Sequence, residues 1–252
     1  MDYSDPAELR ESYGDAPLEL RDLAPHPMDQ FHTWFVHACG SGLPEPNAMV
    51  LSTVEPTGAP RARTVLLKGY DRTGLRFFTN YRSRKGVALA AEPRACVVFP
   101  WHPIRRQVIV SGHVQRLTDE ENDAYFARRP RGSQLGAWAS ERQSSPVADR
   151  AELDRLYARF AEVWPEGTEV PRPAYWGGFR LVPQEVEFWQ GRNDRMHDRF
   201  RYLLVGESPE EGKWQVDRLS PGPSGAAGRI HRFVKWSRSR FLKRWRVPPR
   251  YD

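Results

Sequence analysis

Arg63-Thr64-Val65-Leu66-Leu67-Lys68, answered one hairpin later by Ser83-Arg84-Lys85, decides how this chain is read. Val65, Leu66 and Leu67 form a short apolar run of the kind that makes a buried strand. Buried strands rarely carry charge unless it is paired or bound to a ligand. Here a cation stands at each end, and Arg84 and Lys85 add a second cationic pair. Two readings follow: a β-wall facing a multiply charged anion, most simply a phosphate, or strand ends whose Arg and Lys are solvated. In a regular strand, positions 63 and 68 point to opposite faces. Serving one site would therefore require a bend or backbone contacts.

Outward from this stretch, residues 48–54, 63–70, 75–80, 95–99 and 107–117 read as successive strands. The turns between them are marked by Pro56-Thr57-Gly58, Asp71-Arg72-Thr73-Gly74 and Trp101-His102-Pro103. Short, evenly spaced loops favour antiparallel pairing and a closed barrel. Helices are expected near 7–13, over 27–38 with an apolar stripe at 28, 31, 34, 35 and 38, and over 85–91. Thr118-Asp119-Glu120-Glu121 reads as a capping box opening a helix over 119–129. A polar segment over 131–145 precedes a further helix over 146–163, and 178–181, 185–190, 195–204 and 214–219 read as the last strands.

A chain of 252 residues with 39% hydrophobic and 12% aromatic content has the makings of a globular protein with a sizeable core. No apolar run approaches a membrane span, and the acidic start does not resemble a signal peptide, so a cytoplasmic location is expected. Cys39 and Cys96 are far apart and read as small buried hydrophobes rather than a disulfide or metal pair. His32 and His37 read as surface or satisfied residues. The net charge of +6 misleads, because residues 221–252 hold nine Arg or Lys against Asp252 alone, which leaves about −2 for the rest.

Within the expected strand 195–204, Arg195, His197 and Arg199 would share one face, with the aromatic plane of Trp189 on the partner strand. That arrangement suits a planar anionic ligand, or else an exposed face with a solvated histidine. No Gly-x-Gly-x-x-Gly follows a strand, no Walker loop is present, and no cluster suggests a metal. Ser144 and Ser145 have no evident partners for a catalytic triad. Close strand packing accounts for Gly177-Gly178.

Taken together, the motifs resemble the pyridoxamine 5'-phosphate oxidases, FMN enzymes that make pyridoxal 5'-phosphate. The resemblance is carried by 63–68, Phe78-Thr79-Asn80, Ser83-Arg84-Lys85, Phe99-Pro100-Trp101-His102 and Arg106-Gln107-Val108. It continues through Tyr125 to Pro130, Ser133 to Trp138, Gln143-Ser144-Ser145 and Trp176-Gly177-Gly178-Phe179. Phe188 to Gly191, Arg195-Met196-His197-Asp198-Arg199 and Arg218-Leu219-Ser220-Pro221 complete it, so that it spans roughly 8–221 in order.

The resemblance implies a mainly β, antiparallel split barrel with flanking helices, homodimeric, with FMN between the subunits. It implies that Arg63, Thr64, Val65, Leu66, Leu67, Lys68, Phe78, Thr79, Arg84, Lys85, Gln107, Gln143, Ser144, Trp189 and Arg199 contact FMN. Arg84 and Lys85 suit its phosphate, and the Gln107 amide suits polar atoms of the flavin ring. It assigns Lys68, Tyr125, Arg129 and Ser133 to the substrate phosphate and sets Arg195 and His197, the catalytic pair, over the pyridine ring. Arg10 and Tyr13 would belong to an N-terminal segment, 1–24, that closes over a barrel domain spanning 25–221. The implied reaction moves a hydride from the 4' carbon of pyridoxamine or pyridoxine 5'-phosphate to flavin N5, with dioxygen reoxidising the flavin to give hydrogen peroxide. The cofactor carries the chemistry and the protein orients it, so no acid–base dyad is expected.

Three departures stand out. Phe78 replaces a frequent Tyr, the chain runs one residue longer around Glu141-Arg142, and 222–252 is foreign to the pattern. That tail opens with a Gly/Pro linker and reads as a disordered appendage. Alternatively Ile230, Phe233, Val234, Phe241 and Trp245 among its basic residues touch a polyanion such as anionic lipid or nucleic acid. Two other functions fit less of the sequence: a related flavin oxidase acting on a non-phosphorylated ring such as a phenazine precursor, and a non-catalytic flavin- or pyridoxal-phosphate-binding protein.

Overall fold

The computed structural model describes residues 16–221. The expected helix at 7–13, with Arg10 and Tyr13, lies outside the described residues, as does 222–252.

Pro27 opens α1 (Pro27–Gly40), where its fixed φ suits the first turn, and the His26 ring caps that turn by accepting from Met28 N–H at 3.1 Å. Met28, Phe31, Trp34 and Ala38 form the buried stripe that their spacing requires. Cys39 turns off that stripe and is exposed, not buried as expected. Cys96 is half-buried, and both thiols are free.

Among the described residues, nine strands make one antiparallel sheet: β1 (Ala48–Val54), β2 (Pro60–Leu66), β3 (Gly69–Asp71), β4 (Gly74–Asn80), β5 (Arg94–Trp101), β6 (Arg106–Arg116), β7 (Trp176–Gln190), β8 (Asp198–Val205) and β9 (Lys213–Leu219). Their order is β2-β1-β5-β6-β7-β4-β3, with β8 and β9 beside β7. The two ends, β2 and β3, are joined by Leu67-Lys68. Leu67 N–H donates to Asn47 O beside β1 and Lys68 N–H to Arg76 O on β4, both at 2.8 Å. The expected single strand over 63–70 is thus two strands meeting at a corner, and the sheet curls back on itself as a split barrel. The corner falls between Arg63 and Lys68, so the two residues do not lie on one regular strand.

The strands expected at 178–181 and 185–190 are one strand, β7. Along one edge it pairs with β6; along the other it pairs first with β4 and then with β8. Opposite Pro183 the β6 register shifts between Ser111 and Gly112. A Cβ at Gly112 would run into the Val182 carbonyl, so only glycine allows the two backbones to pass so closely there.

Inside the curl, Met49, Leu51, Leu75, Phe77, Val97, Phe99, Val108, Val110, Leu181, Val186, Phe188, Phe200 and Tyr202 are fully or almost fully buried. Each of the larger ones contributes about 2–3 kcal/mol by leaving water. Helix α1 lays Phe31 on Phe99 (5.0 Å) and Trp34 edge-on against Phe188 (5.2 Å). Period-two alternation sends Gln107, Glu187, Trp189, Arg199 and Arg201 to the other face.

Four more helices among the described residues flank the sheet: α2 (Arg84–Ala91), α3 (Asp119–Ala127), α4 (Arg131–Ala139) and α5 (Arg150–Val163). The capping box at α3 forms as expected, with Thr118 N–H donating to Glu121 Oε2 (3.0 Å) and Glu121 N–H to Thr118 Oγ1 (3.2 Å). Part of the expected polar segment over 131–145 is the helix α4. Its Leu135 and Ala137 pack into a second small core with Phe126, Val170, Tyr175 and Trp176. No helix among the described residues is long and apolar enough to cross a membrane.

Candidate active site

The residues singled out from the sequence fall into three groups, each set by the local chain path.

The first lies where β2, β4 and the start of α2 meet. Arg63 stands opposite Leu51 in the β1–β2 register, so its side chain runs along the inner face to Thr53 Oγ1 (2.7 Å) and Leu51 O (3.3 Å). Lys85, in the first turn of α2, donates from Nζ to Thr79 Oγ1 (3.2 Å). Burial, then the charge of Arg63, lowers the Lys85 pKa, and burial likewise lowers that of Arg63. Ser83 caps α2 by accepting from Gly86 N–H (3.2 Å), and Arg84 N–H donates to Ser144 Oγ (3.3 Å). Arg84 and Ser144, with Glu55, Arg82 and Gln143 among other residues, line a cleft of about 440 Å³. Asn80, buried at the end of β4, fixes the segment carrying Gln143 and Ser144 by donating to the Ser140 and Glu141 carbonyls (2.8 and 2.9 Å). Three cations with hydroxyl and amide donors suit a phosphate. Sequence reasoning missed Glu55, which grips the Arg84 guanidinium through both carboxylate oxygens.

The second group is a single rung of the outer face. Gln107, Trp189 and Arg199 are register partners on β6, β7 and β8. Arg199 is held by Glu187, with Nε to Oε1 at 2.8 Å and Nη2 to Oε2 at 3.1 Å. Glu187, a β7 neighbour on the same face, was also missed. Arg195 and His197 do not share a strand face with Arg199, contrary to expectation. Asp194 and Arg195 both adopt left-handed backbone (φ 53° and 59°), so the chain turns before β8 starts at Asp198. Arg195 is exposed at that turn. The His197 ring instead packs 4.6 Å from the Trp189 ring, and its Nδ1 accepts from Arg192 N–H (3.0 Å). Burial, then the charges of Arg195 and Arg199, lowers its pKa. The neutral ring therefore carries its proton on Nε2.

The third group is an aromatic ledge. Phe78 points outward from β4 opposite Gly178, and its ring stacks on Tyr125 of α3 at 3.8 Å and 12°. Trp176 lies parallel to both, and the Arg129 guanidinium sits 4.5 Å from the centre of its indole. Arg129 Nη1 is buried without a protein hydrogen-bond partner. Burial lowers the Arg129 pKa and raises that of Tyr125. Ser133 is exposed in the first turn of α4. Lys68 is exposed at the barrel corner, Leu67 is buried in the core, and Thr64 faces solvent. Val65 and Leu66 are half-buried. Among the described residues, no cluster of three or more His, Cys, Asp or Glu could hold a metal.

Comparison with known proteins supplies an independent line. A family model described as pyridoxamine 5'-phosphate oxidase matches residues 35–164, and one for the pyridoxine 5'-phosphate oxidase C-terminal dimerisation region matches 176–221. The pyridoxine/pyridoxamine 5'-phosphate oxidase of Thermobifida fusca is 80% identical over 221 residues, covering 88% of this chain and all of its own. Among solved structures, PhzG from Burkholderia lata in complex with tetrahydrophenazine-1-carboxylic acid superposes with a TM-score of 0.75 at 29% identity, covering 83% of this chain and all of that one. A pyridoxamine 5'-phosphate oxidase-related, FMN-binding protein from Nostoc punctiforme shares the fold at a TM-score of 0.62 and 17% identity, covering 79% of this chain and 100% of that one.

Proposed function

The chain belongs to the pyridoxine/pyridoxamine 5'-phosphate oxidase family, and on that premise we propose that it oxidises pyridoxamine 5'-phosphate and pyridoxine 5'-phosphate to pyridoxal 5'-phosphate, with FMN as cofactor and dioxygen as final acceptor. The observation that carries the substrate is Arg129, a half-buried cation whose Nη1 has no protein partner, set beside the Tyr125 phenol and the first turn of α4. A desolvated guanidinium of this kind calls for an anion, and the substrate phosphate is one. Tyr125 and Ser133 add hydroxyl donors, and Lys68 adds a cation from the barrel corner.

The first group fits the FMN phosphate. Lys85 and Arg63 are cations whose pKa values are lowered first by burial and then by neighbouring cations, and a bound phosphate would offset both costs. Arg84, Ser144 and Gln143 close that site, Thr79 steadies Lys85, and the rung of Gln107, Trp189 and Arg199 offers an amide, an aromatic face and a paired cation to the ring system. FMN, when bound, supplies the two-electron acceptor that no side chain here can provide. The residues do the placing: Arg129 and its neighbours anchor the substrate by its phosphate, while Arg195 and His197 lie over its ring. The Nε2–H of His197 is a donor, so the residue orients substrate and does not act as the base.

The dimerisation region, 176–221, contains β7, β8 and β9, whose outer face carries Trp189 and Arg199. A homodimer paired through this face would place FMN between subunits. The 80% identity to a pyridoxine/pyridoxamine 5'-phosphate oxidase, against 29% to PhzG, favours the phosphorylated ring over a phenazine precursor.

Aerobic turnover of the FMN-loaded protein with each phosphorylated substrate tests this, with pyridoxal 5'-phosphate and peroxide assayed together. Both products should appear in step. Binding of FMN without turnover of either substrate would overturn the substrate assignment, and failure to bind FMN would overturn the whole reading.

A further inference from the structure

Resting on the oxidase reading above, we propose that Trp176 is a positioning residue for the substrate phosphate: its indole sets Arg129, and through Phe78 also Tyr125, in the geometry that selects a phosphorylated ring. Trp176 opens β7 and is 6% exposed. One neighbour is the Arg129 guanidinium, 4.5 Å from the ring centre. Phe78 and Tyr125 lie parallel to the indole within 12°, and Phe126 packs edge-on at 5.1 Å. A guanidinium held by an aromatic face keeps its N–H donors for an anion, whereas one held by a carboxylate has spent them. The distinction is visible within this molecule, because Arg199 is held by Glu187 and Arg84 by Glu55, while Arg129 has an indole and an unpartnered Nη1.

The ledge is fixed from behind. Asn122, 1% exposed, accepts from Gly178 N–H (2.7 Å) and donates to Leu117 O (3.3 Å), tying α3 to β7. A Cβ at Gly178 would stand 2.8 Å from the Phe78 ring, so the glycine is what lets that ring lie flat on the strand. The indole is therefore held in one place, and the two phosphate-binding side chains take their position from it.

The test compares FMN-loaded wild type, Trp176→Phe and Trp176→Leu on pyridoxamine 5'-phosphate and on unphosphorylated pyridoxamine. For Trp176→Leu, KM for the phosphorylated substrate should rise about ten-fold while kcat moves less than about two-fold. Its kcat/KM on pyridoxamine should not change, and Trp176→Phe should recover most of the loss. In a background that lacks both phosphate-binding side chains, Arg129→Met with Tyr125→Phe, the cost that remains in Trp176→Phe should vanish, a check that holds even if the Leu variant fails to fold. Equal losses on both substrates, or a cost that persists in that background, would overturn the proposal in favour of plain packing. If the wild type has no turnover, the oxidase reading itself fails, and binding of pyridoxal 5'-phosphate by absorbance carries the same comparison of variants.

Discussion

Glu55 holds Arg84 through both carboxylate oxygens, with Nη2 to Oε2 at 2.9 Å, at the mouth of the cleft assigned to the FMN phosphate. The hydrogen bond from Arg84 keeps the Glu55 carboxyl below the usual carboxylate range, so it is ionised at neutral pH. Among the described residues, it is the one acid lining that cleft. A carboxylate and a phosphate compete for the same guanidinium. Glu55→Gln should therefore tighten FMN about two- to five-fold, with a steeper salt dependence of binding. Flavin fluorescence titrations at two ionic strengths check this, and weaker binding would mean that Glu55 positions Arg84 and does not compete for it.

Lys85 makes the same site sensitive to alkali. Its lowered pKa means the folded, FMN-free chain releases this proton before the unfolded chain does. Between that value and the ordinary lysine pKa the unfolded chain binds more protons, so stability rises with pH there. Lys85→Met should remove this slope, raise the melting temperature of the FMN-free protein by about 3 °C and weaken FMN at least about ten-fold. Melts between mildly alkaline pH and the lysine pKa decide it; a lower melting temperature throughout would refute the account.

Arg129 should separate substrates by their phosphate. Arg129→Met removes a charge-assisted contact, and KM for pyridoxamine 5'-phosphate should rise about 30- to 100-fold with FMN affinity unchanged. Steady-state kinetics beside a flavin titration will reveal whether the loss is confined to substrate.

For His197 the acid limb is informative. Its pKa lies below the ordinary histidine value, so kcat/KM should be flat through neutrality and fall only as the pH drops through that lowered value. Protonation puts a second N–H at Nδ1, facing the Arg192 N–H it now accepts. His197→Asn can still accept that bond, so it should bind FMN normally while losing about ten-fold in kcat and the acid limb with it. An unchanged pH profile in the variant would assign the limb to another group.

The C-terminal family model ends at residue 221. A chain truncated there should keep its kcat, KM and FMN affinity and lose retention on a cation-exchange column, because the body carries about −2 of net charge. A fall in turnover would give 222–252 a part in the site.

Much of this was legible from residue order. Apolar runs and alternation located the strands, although the one expected over 63–70 is β2 and β3 and the two expected at 178–181 and 185–190 are β7, and Thr118 with Glu121 announced α3 because a capping box is a local device. What escaped depends on distant partners. The corner at Leu67-Lys68 is set by Asn47 and Arg76, which attract the two amides to different strands. Helix α4 was hidden because Gly132 and Gly136 dilute its pattern, and the partners of its apolar face, Val170, Tyr175 and Trp176 among them, are distant in sequence. The turn at Asp194 and Arg195 rests on two left-handed residues that neither type favours strongly, so extending the strand through them misplaced Arg195 and His197. Glu55 and Glu187 went unremarked, and Trp176 stood only as part of a motif with no role of its own, for the same reason: each acts on a side chain remote in sequence or one strand away.

The register shift at Gly112 limits how this chain can change in length. Every residue between that point and the rung of Gln107, Trp189 and Arg199 is counted twice, once on β6 and once on β7. A single insertion there would turn Gln107 or Trp189 inward and an apolar neighbour out. Growth is tolerated instead where no strand keeps count and no site residue stands, in the stretches 146–149 and 206–211. Relatives of different length should differ at those two places and agree, residue for residue, between Gly112 and the rung.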